Sequence, residues 1–174
     1  MQNRYKEGIQ PMLENGLLYG SFNPMHLSHV ELIEKALEHF QYLHIFARVN
    51  KGVDLVDWET KKSWLERLNR EKFDGRLRIY KLELTFHDKN YGKLDFAESF
   101  LNSEKETGIH LDGLICGEDM QYMVDRMKAA LPDREFFVIP RDERSSSSIR
   151  KDIDSMKEQV PDFVYEDLLR LGKT

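Results

Sequence analysis

Strand-like and helix-like segments alternate along most of the chain, and this alternation constrains the fold more than any other feature of the sequence. Five short apolar runs have the character of buried strands, namely residues 16–22, 42–49, 76–84, 111–116 and 135–139. Stretches with helical apolar spacing separate these runs. Because a helical crossover is the usual connection between neighbouring parallel strands, the sequence predicts an α/β fold. We expect a doubly wound parallel five-stranded sheet with helices on both faces.

The helical segments are identified by apolar residues that recur every three or four positions. In the first segment, this stripe consists of His29, Ile33, Ala36, Leu37 and Phe40. Further helices are expected at residues 57–73, 91–105, 120–127, 147–157 and 161–171. The apolar phase of the third strand shifts near Ile79, which predicts either a bulge or an edge position for that strand.

Length and composition are typical of an ordinary globular chain. The 174 residues fit one domain with one core, and we expect that domain at residues 16–174, after a polar extension at residues 1–15. The formal net charge of −5, with no long run of one sign, argues against a broad nucleic-acid-binding surface. Cys116 is the only cysteine, so there is no internal disulfide.

No apolar stretch approaches the length of a membrane span, and the first residues contain no apolar segment of signal-peptide length. The sequence therefore predicts a cytoplasmic protein without a membrane partner. It leaves the oligomeric state open, a homo-oligomer included.

The segment from Gly20 to His29 joins the first strand to the first helix, and ligands of doubly wound sheets bind at the carboxyl ends of strands. Gly20 is expected to allow close approach of a ligand to the backbone. His26 and His29 are three residues apart, so at a helix start they share a face. The N–H groups and dipole of that helix favour phosphate, and two imidazoles add donors for charge that moves towards a leaving pyrophosphate. We predict that both histidines are catalytic; the structural alternative is a core position for His29.

A second polar segment, from Arg144 to Arg150, is expected to open a helix after the fifth strand. Serine hydroxyls and backbone N–H groups at a helix start can bind phosphate oxygens, and an arginine adds a planar fork of donors. The alternative is a serine-rich loop that only caps the helix. The candidate nucleotide-binding residues of this segment are Ser145, Ser146, Ser147 and Arg150.

Both segments resemble the signatures of a known superfamily, the HxGH nucleotidylyltransferases. Residues 20–29, GSFNPMHLSH, look like G-[ST]-F-[DN]-P-x-H-x-G-H, with wording especially similar to bacterial nicotinamide-nucleotide adenylyltransferases. Residues 144–150, RSSSSIR, resemble the second signature, I-S-S-[TS]-x-[IV]-R. Ser28 stands where the family usually has glycine, and Arg144 stands where it has isoleucine. The resemblance implies a Rossmann-like fold in which Gly20, Ser21 and Phe22 bind the nucleotide.

Other positions follow from the same resemblance. Lys51, after the second strand, is in the place of a lysine that reaches the phosphates, with a solvated loop residue as the alternative. Gly117 and Asp119 follow the fourth strand and resemble the G-x-D of nicotinamide-nucleotide adenylyltransferases. With Asn23, they are candidate acceptor-binding residues. Helix N-capping is the alternative role for Asp119.

Two tryptophans, Trp58 and Trp64, could stack on an aromatic ring of a substrate, and Trp64 is included in the acceptor-binding set. Packing within the helix is the alternative for either residue. Lys61 and Lys62 are expected on a solvated helix face. His44 belongs to no motif and is expected to be structural or at the surface.

The resemblance implies transfer of AMP from ATP to nicotinamide mononucleotide, which gives NAD and pyrophosphate. The acceptor phosphate is already ionised at neutral pH, so catalysis consists of positioning and charge stabilisation. Mg²⁺ is expected, held mainly by substrate phosphates and water, and no metal-ligating side chain is predicted. The alternatives are a pantetheine-phosphate adenylyltransferase, a cytidylyltransferase acting on a phosphorylated alcohol, and a non-catalytic domain that senses nucleotide.

Overall fold

The computed structural model describes residues 12–50, 52–83, 96–140 and 156–173. The described strands are β1 (Leu13–Gly20), β2 (Phe40–Val49), β3 (Leu77–Glu83), β4 (Gly113–Gly117) and β5 (Glu135–Ile139). The described helices are α1 (Leu27–His39), α2 (Trp58–Glu71), α3 (Phe96–Thr107), α4 (Gln121–Ala130), α5 (Met156–Gln159) and α6 (Asp162–Arg170), with a 3₁₀ turn at Glu118–Met120. None of the helices described in these ranges is long and apolar enough to cross a membrane.

The strands form one sheet in the order β3-β2-β1-β4-β5, and every neighbouring pair is parallel. The chain adds β2 and β3 on one side of β1, and then β4 and β5 on the other side. The order therefore reverses between β1 and β4, where the carboxyl ends of a doubly wound sheet leave a crevice for ligands. The predicted fold class, a Rossmann-like doubly wound sheet of five parallel strands, is confirmed.

Two apolar layers cover the two faces of the sheet. Leu18 of β1 belongs to a buried cluster with Ile33 of α1, Trp64 of α2 and Leu168 of α6. Its neighbour Leu17 belongs to a second cluster, with residues of α3 and α4. Adjacent strand residues point to opposite faces, so β1 contributes to both layers. This explains why its sequence is a continuous apolar run rather than an alternating one.

The structure departs from the sequence prediction at the start of β1 and at the junction of α1 and β2, and it decides between the two alternatives for β3. β1 begins at Leu13, three residues before the predicted start at Gly16. A Cβ atom at Gly16 would overlap the ring of Phe40, so this glycine permits the close packing of β1 against β2. Phe40 was predicted in the stripe of the first helix, but it is the C-cap of α1 and the first residue of β2. The pairing of β3 with β2 is continuous through Ile79, so β3 has no bulge there and is an edge strand.

Predicted helices at 91–105 and 147–157 lie partly outside the described residues. Their described parts belong to α3 and α5.

A buried polar contact joins three strands on the α3 side of the sheet. The His44 side chain is 1% exposed. Its Nε2 lies 2.9 Å from Oδ1 of Asn15 in β1, and its Nδ1 lies 3.2 Å from the hydroxyl of Tyr80 in β3. Burial, and secondarily the charge of Arg78, lower the pKa of His44 from 6.5 to about 4. At neutral pH the imidazole is therefore uncharged and hydrogen-bonded across the sheet.

This contact predicts a specific acid sensitivity of the fold. The unfolded chain takes up a proton at His44 near pH 6.5, whereas the folded chain does so only near pH 4. The stabilising contribution is therefore present above pH 6.5 and is lost as the pH falls towards 4, by about 3 kcal/mol in the free energy of unfolding. Urea unfolding at a series of pH values, in the wild type and in His44→Gln, measures it. We expect a shallower pH dependence in the variant; parallel profiles would contradict the assignment.

Candidate functional site

The loop between β1 and α1 reaches the carboxyl edge of the sheet beside the β1–β4 crevice. Phe22 in this loop has a left-handed backbone, with φ of 48°, and its side chain is fully buried. A Cβ atom at Gly20 would lie 2.7 Å from the Phe22 ring. Gly20 is thus required by the inward turn of Phe22, a reason that the sequence did not reveal. Contact of Gly20, Phe22 and the exposed Ser21 with nucleotide stays a prediction.

His26 and His29 form a fixed pair at the start of α1. His26 is the N-cap residue and is 5% exposed. Its backbone N–H donates to Nδ1 of His29 at 3.1 Å, and the backbone N–H of His29 donates to the carbonyl of His26 at 3.0 Å. The two rings are stacked with centroids 3.8 Å apart, and the Phe22 ring lies 4.6 Å from that of His29. The histidine pair is therefore held by the backbone on one side and by an aromatic ring on the other.

The hydrogen bond to Nδ1 decides which nitrogen of His29 carries a proton. An Nδ1 that accepts from a backbone N–H is unprotonated, so the neutral ring has its proton on Nε2. Nε2 is then a donor at a helix start, where the first backbone N–H groups also lack intrahelical acceptors. His29 is half-buried rather than part of the core. The arrangement can donate hydrogen bonds to an anionic oxygen without transferring a proton.

The loop between β2 and α2 forms a second part of the carboxyl edge. It borders a pocket of about 440 Å³, called the β2–α2 pocket below, which is lined by Val49, Asn50, Gly52, Asp54, Leu55, Val56, Asp57, Trp58, Glu59 and Lys81. The loop is tied to the histidine motif, because the backbone N–H of Leu55 donates to Oδ1 of Asn23 at 2.6 Å. Asn23 is buried at 7% exposure. Its observed contact connects the two loops, and its predicted contact with the acceptor stays a prediction.

A buried ion pair shapes this second loop. Lys61 is fully buried, and its Nζ donates to Oδ2 of Asp54 at 2.9 Å and to the carbonyl of Arg48 at 3.0 Å. The same Asp54 oxygen accepts the backbone N–H of Asn50 at 2.8 Å. The prediction of a solvated helix face was wrong for Lys61. It precedes Trp64, Leu65 and Leu68 by three, four and seven residues, so its place on the buried stripe was visible in the helical spacing.

The end of β4 faces β1 across the crevice. Asp119 is exposed in the 3₁₀ turn after β4, and a Cβ atom at Gly117 would lie 2.8 Å from its Oδ1. Gly117 therefore leaves room for the Asp119 carboxylate. Burial, with a smaller contribution from Asp119, raises the pKa of the neighbouring Cys116 to about 12, so this thiol is not a nucleophile at neutral pH. Binding of the acceptor by Gly117 and Asp119 stays a prediction.

Trp64, included in the predicted acceptor set, lies inside the core. The indole is 1% exposed, and its Nε1 donates to Oδ2 of Asp167 in α6 at 2.8 Å. No face of this ring is open to a ligand, which argues against a stacking role. The half-buried Trp58, the other tryptophan considered, lines the β2–α2 pocket. The apolar stripe that contains Trp64 was a signal for its core position.

Several predicted residues lie outside the described part of the chain, namely Lys51, Ser145, Ser146, Ser147 and Arg150. Within the described part, no three side chains among His, Cys, Asp and Glu are grouped so as to hold a metal ion. The described residues therefore do not form a carboxylate cage for Mg²⁺.

The chain matches a known protein family by sequence and a set of solved structures by fold. The sequence model of the cytidylyltransferase-like family matches residues 17–159. No curated protein matches the chain by sequence.

Among solved structures, the chain is similar to a putative nicotinate-nucleotide adenylyltransferase from Vibrio parahaemolyticus, with a TM-score of 0.63 and 15% identity over 93% of this chain and 95% of that one. It is also similar to a nicotinic acid mononucleotide adenylyltransferase from Plasmodium falciparum in complex with NaAD, with a TM-score of 0.62 and 13% identity over 91% and 96%. A bifunctional NMN adenylyltransferase/ADP ribose pyrophosphatase from Francisella tularensis, complexed with AMP and a manganese ion, has a TM-score of 0.64 and 13% identity over 90% of this chain and 49% of its own. At these identities the similarity establishes a shared fold.

Two neighbouring lysines of α2 give a matched test of the buried ion pair. Lys61→Met leaves the Asp54 carboxylate and the Arg48 carbonyl without their buried cation, and we expect a loss of about 3 kcal/mol in the free energy of unfolding. Lys62 is half-exposed, and its Nζ lies 3.9 Å from Glu66, so Lys62→Met should cost less than about 1 kcal/mol. Urea unfolding of both variants measures the difference. Equal losses would show that the Lys61 pair does not stabilise the loop.

Proposed function

The chain belongs to the cytidylyltransferase-like family of nucleotidyltransferases, and from that premise we propose that it transfers AMP from ATP to nicotinamide mononucleotide, with NAD and pyrophosphate as products. The observation that carries the proposal is the stacked histidine pair at the start of α1, with Nδ1 of His29 occupied by a backbone donor. The sequence of residues 20–26 and the G-x-D motif of residues 117–119 favour this acceptor over phosphopantetheine. The nicotinate and NMN adenylyltransferases among the similar structures support it.

In this reaction a phosphate oxygen of the mononucleotide attacks the α-phosphorus of ATP. The new bond joins that oxygen to phosphorus, the bond to the β-phosphate oxygen breaks, and pyrophosphate leaves. The attacking phosphate oxygen is already ionised at neutral pH, so no general base is required, and the leaving oxygen takes up negative charge as the bond to the α-phosphorus breaks. His29 donates from Nε2, and the first N–H groups of α1 donate beside it, to oxygens whose charge grows in the transition state.

Residues beyond the described ranges, together with Mg²⁺, would complete the site. Ser145, Ser146, Ser147 and Arg150 would bind the triphosphate, and Lys51 would reach the phosphates from the β2 side. Mg²⁺ would be held by substrate phosphates and water, where it would neutralise phosphate charge.

The histidine pair predicts a defect in turnover rather than in binding. We expect His29→Ala to lower kcat about a hundred- to a thousandfold, with a much smaller change in the affinity for ATP, because the lost donor acts on charge that develops in the transition state. Steady-state kinetics and a binding titration with ATP provide the two measurements. His39→Ala, at the other end of α1, is the control and should retain near-normal kcat. A near-normal kcat for His29→Ala would return His29 to a structural role.

The substrate pair is tested by incubating the purified chain with ATP, Mg²⁺ and nicotinamide mononucleotide, and by measuring NAD with a dehydrogenase-coupled assay. Parallel reactions contain phosphopantetheine with ATP, or CTP with a phosphorylated alcohol. We expect NAD and pyrophosphate in equal amounts. Rapid product formation from another substrate pair, without NAD, would contradict the assigned acceptor but leave the assignment of nucleotidyl transfer intact. Nucleotide binding without pyrophosphate release from any pair would favour a sensing domain.

A further inference from the structure

One aromatic and several aliphatic side chains line part of the β2–α2 pocket. Trp58, the first residue of α2, lines it together with Val49, Leu55 and Val56. Since Trp64 is enclosed in the core, Trp58 is the tryptophan of α2 that offers part of its ring to a ligand. An indole face beside aliphatic side chains is suited to a planar ring.

Negative charge predominates around this pocket. Asp54, Asp57 and Glu59 line it, whereas Lys81 is the only cation among its described lining residues. Lys81 is engaged with Glu83, its Nζ 2.7 Å from the carboxylate, and Asp54 is engaged with Lys61. Hydrogen bonds from Thr60 hold the pKa of Asp57 below its usual range, so this carboxylate is ionised at neutral pH. The surroundings favour a cationic ring and disfavour a carboxylate substituent on that ring.

Asn50 adds a polar group at the end of β2. It is 8% exposed, and its Nδ2 is buried and has no hydrogen-bond partner among the residues that the structure describes. A buried donor without an acceptor is unfavourable. A ligand carbonyl that reached Nδ2 would remove that cost, which makes Asn50 a candidate for reading an amide or carbonyl substituent.

We propose that the β2–α2 pocket binds the pyridine ring of the acceptor and selects the carboxamide form over the carboxylate form, with Trp58 stacking on the ring and Asn50 donating to its carbonyl. This inference rests on the proposed function. The nicotinamide ring of the mononucleotide is a planar cation, so it gains both cation–π attraction to Trp58 and attraction to Glu59 and Asp57. Its amide N–H₂ donates where those carboxylates accept. The carboxylate of nicotinate would meet the same groups as a like charge.

A hydrogen bond connects the pocket to the loop that precedes the histidine pair. Leu55 in its wall is hydrogen-bonded to Asn23, which precedes His26 by three residues. The strands that carry the two loops are adjacent, with Gly20 of β1 paired with Ala47 of β2. A ring fixed against Trp58 would therefore set the position of the phosphate that extends from it towards the histidine pair.

The test compares nicotinamide mononucleotide with nicotinate mononucleotide at saturating ATP. For the wild type we expect kcat/KM to favour the nicotinamide form about tenfold or more. Trp58→Ala should raise the KM for that form about tenfold while the KM for ATP changes less than about twofold. Glu59→Gln should lower the ratio of kcat/KM for the nicotinamide form to that for the nicotinate form about threefold or more. Glu66→Gln, on the same helix away from the pocket, should leave this ratio unchanged.

Two outcomes distinguish failure of the pocket assignment from failure of the proposed function. If NAD is formed but Trp58→Ala retains the wild-type KM and preference, the pocket assignment is overturned and the proposed function stands. If neither mononucleotide is a substrate, the proposed function fails.

Binding without ATP gives a second readout of the pocket. Nicotinamide mononucleotide, titrated alone, should quench the tryptophan fluorescence of the wild type, and this quenching should be largely lost in Trp58→Phe, where only the enclosed Trp64 remains. Equal quenching in both proteins would overturn the assignment of the ring to Trp58.

Discussion

The hydrogen bond from the backbone N–H of His26 to Nδ1 of His29 is the contact on which the candidate site depends. It joins two residues three positions apart at the first turn of α1, so the helix itself fixes the distance between them. Because Nδ1 accepts, the proton of the neutral ring is on Nε2, and the ring can donate a hydrogen bond from that atom. Phe22 and Gly20 complete this arrangement, since the buried ring packs against His29 in space that only a glycine leaves open.

A second set of buried polar contacts extends this order to the β2–α2 loop. Asp54 accepts hydrogen bonds from the buried Lys61 and from the backbone N–H of Asn50. Asn23 accepts one from the backbone N–H of Leu55. Both loops are thus bound to the scaffold and to each other by groups with little exposure to water, where such contacts are strongest. A rigid carboxyl edge of this kind suits a reaction in which the chain mainly orients two anionic substrates.

Much of the fold could be predicted from the sequence, because strands buried on both faces and amphipathic helices leave different patterns. β5 was predicted with its observed limits, Glu135–Ile139. Phe40 was assigned to the wrong element because it fits both the helical stripe before it and the strand after it. Lys61 and Trp64 were misread for a related reason. Residue type suggested a surface lysine and a ligand-stacking indole, whereas helical position put both inside the core. Contacts such as Asn23 with Leu55 join residues 32 positions apart, and no local pattern reveals them.

The most direct test of the central claim, that His29 presents an Nε2–H donor to phosphate, is ¹⁵N NMR of the protein labelled at histidine, with His29 assigned through His29→Gln. We expect the neutral ring of His29 with its proton on Nε2 and an unprotonated Nδ1, and a shift of the Nε2 signal when pyrophosphate is added. A proton on Nδ1, or a pyrophosphate titration that moves other histidine signals and leaves His29 unchanged, would contradict the claim.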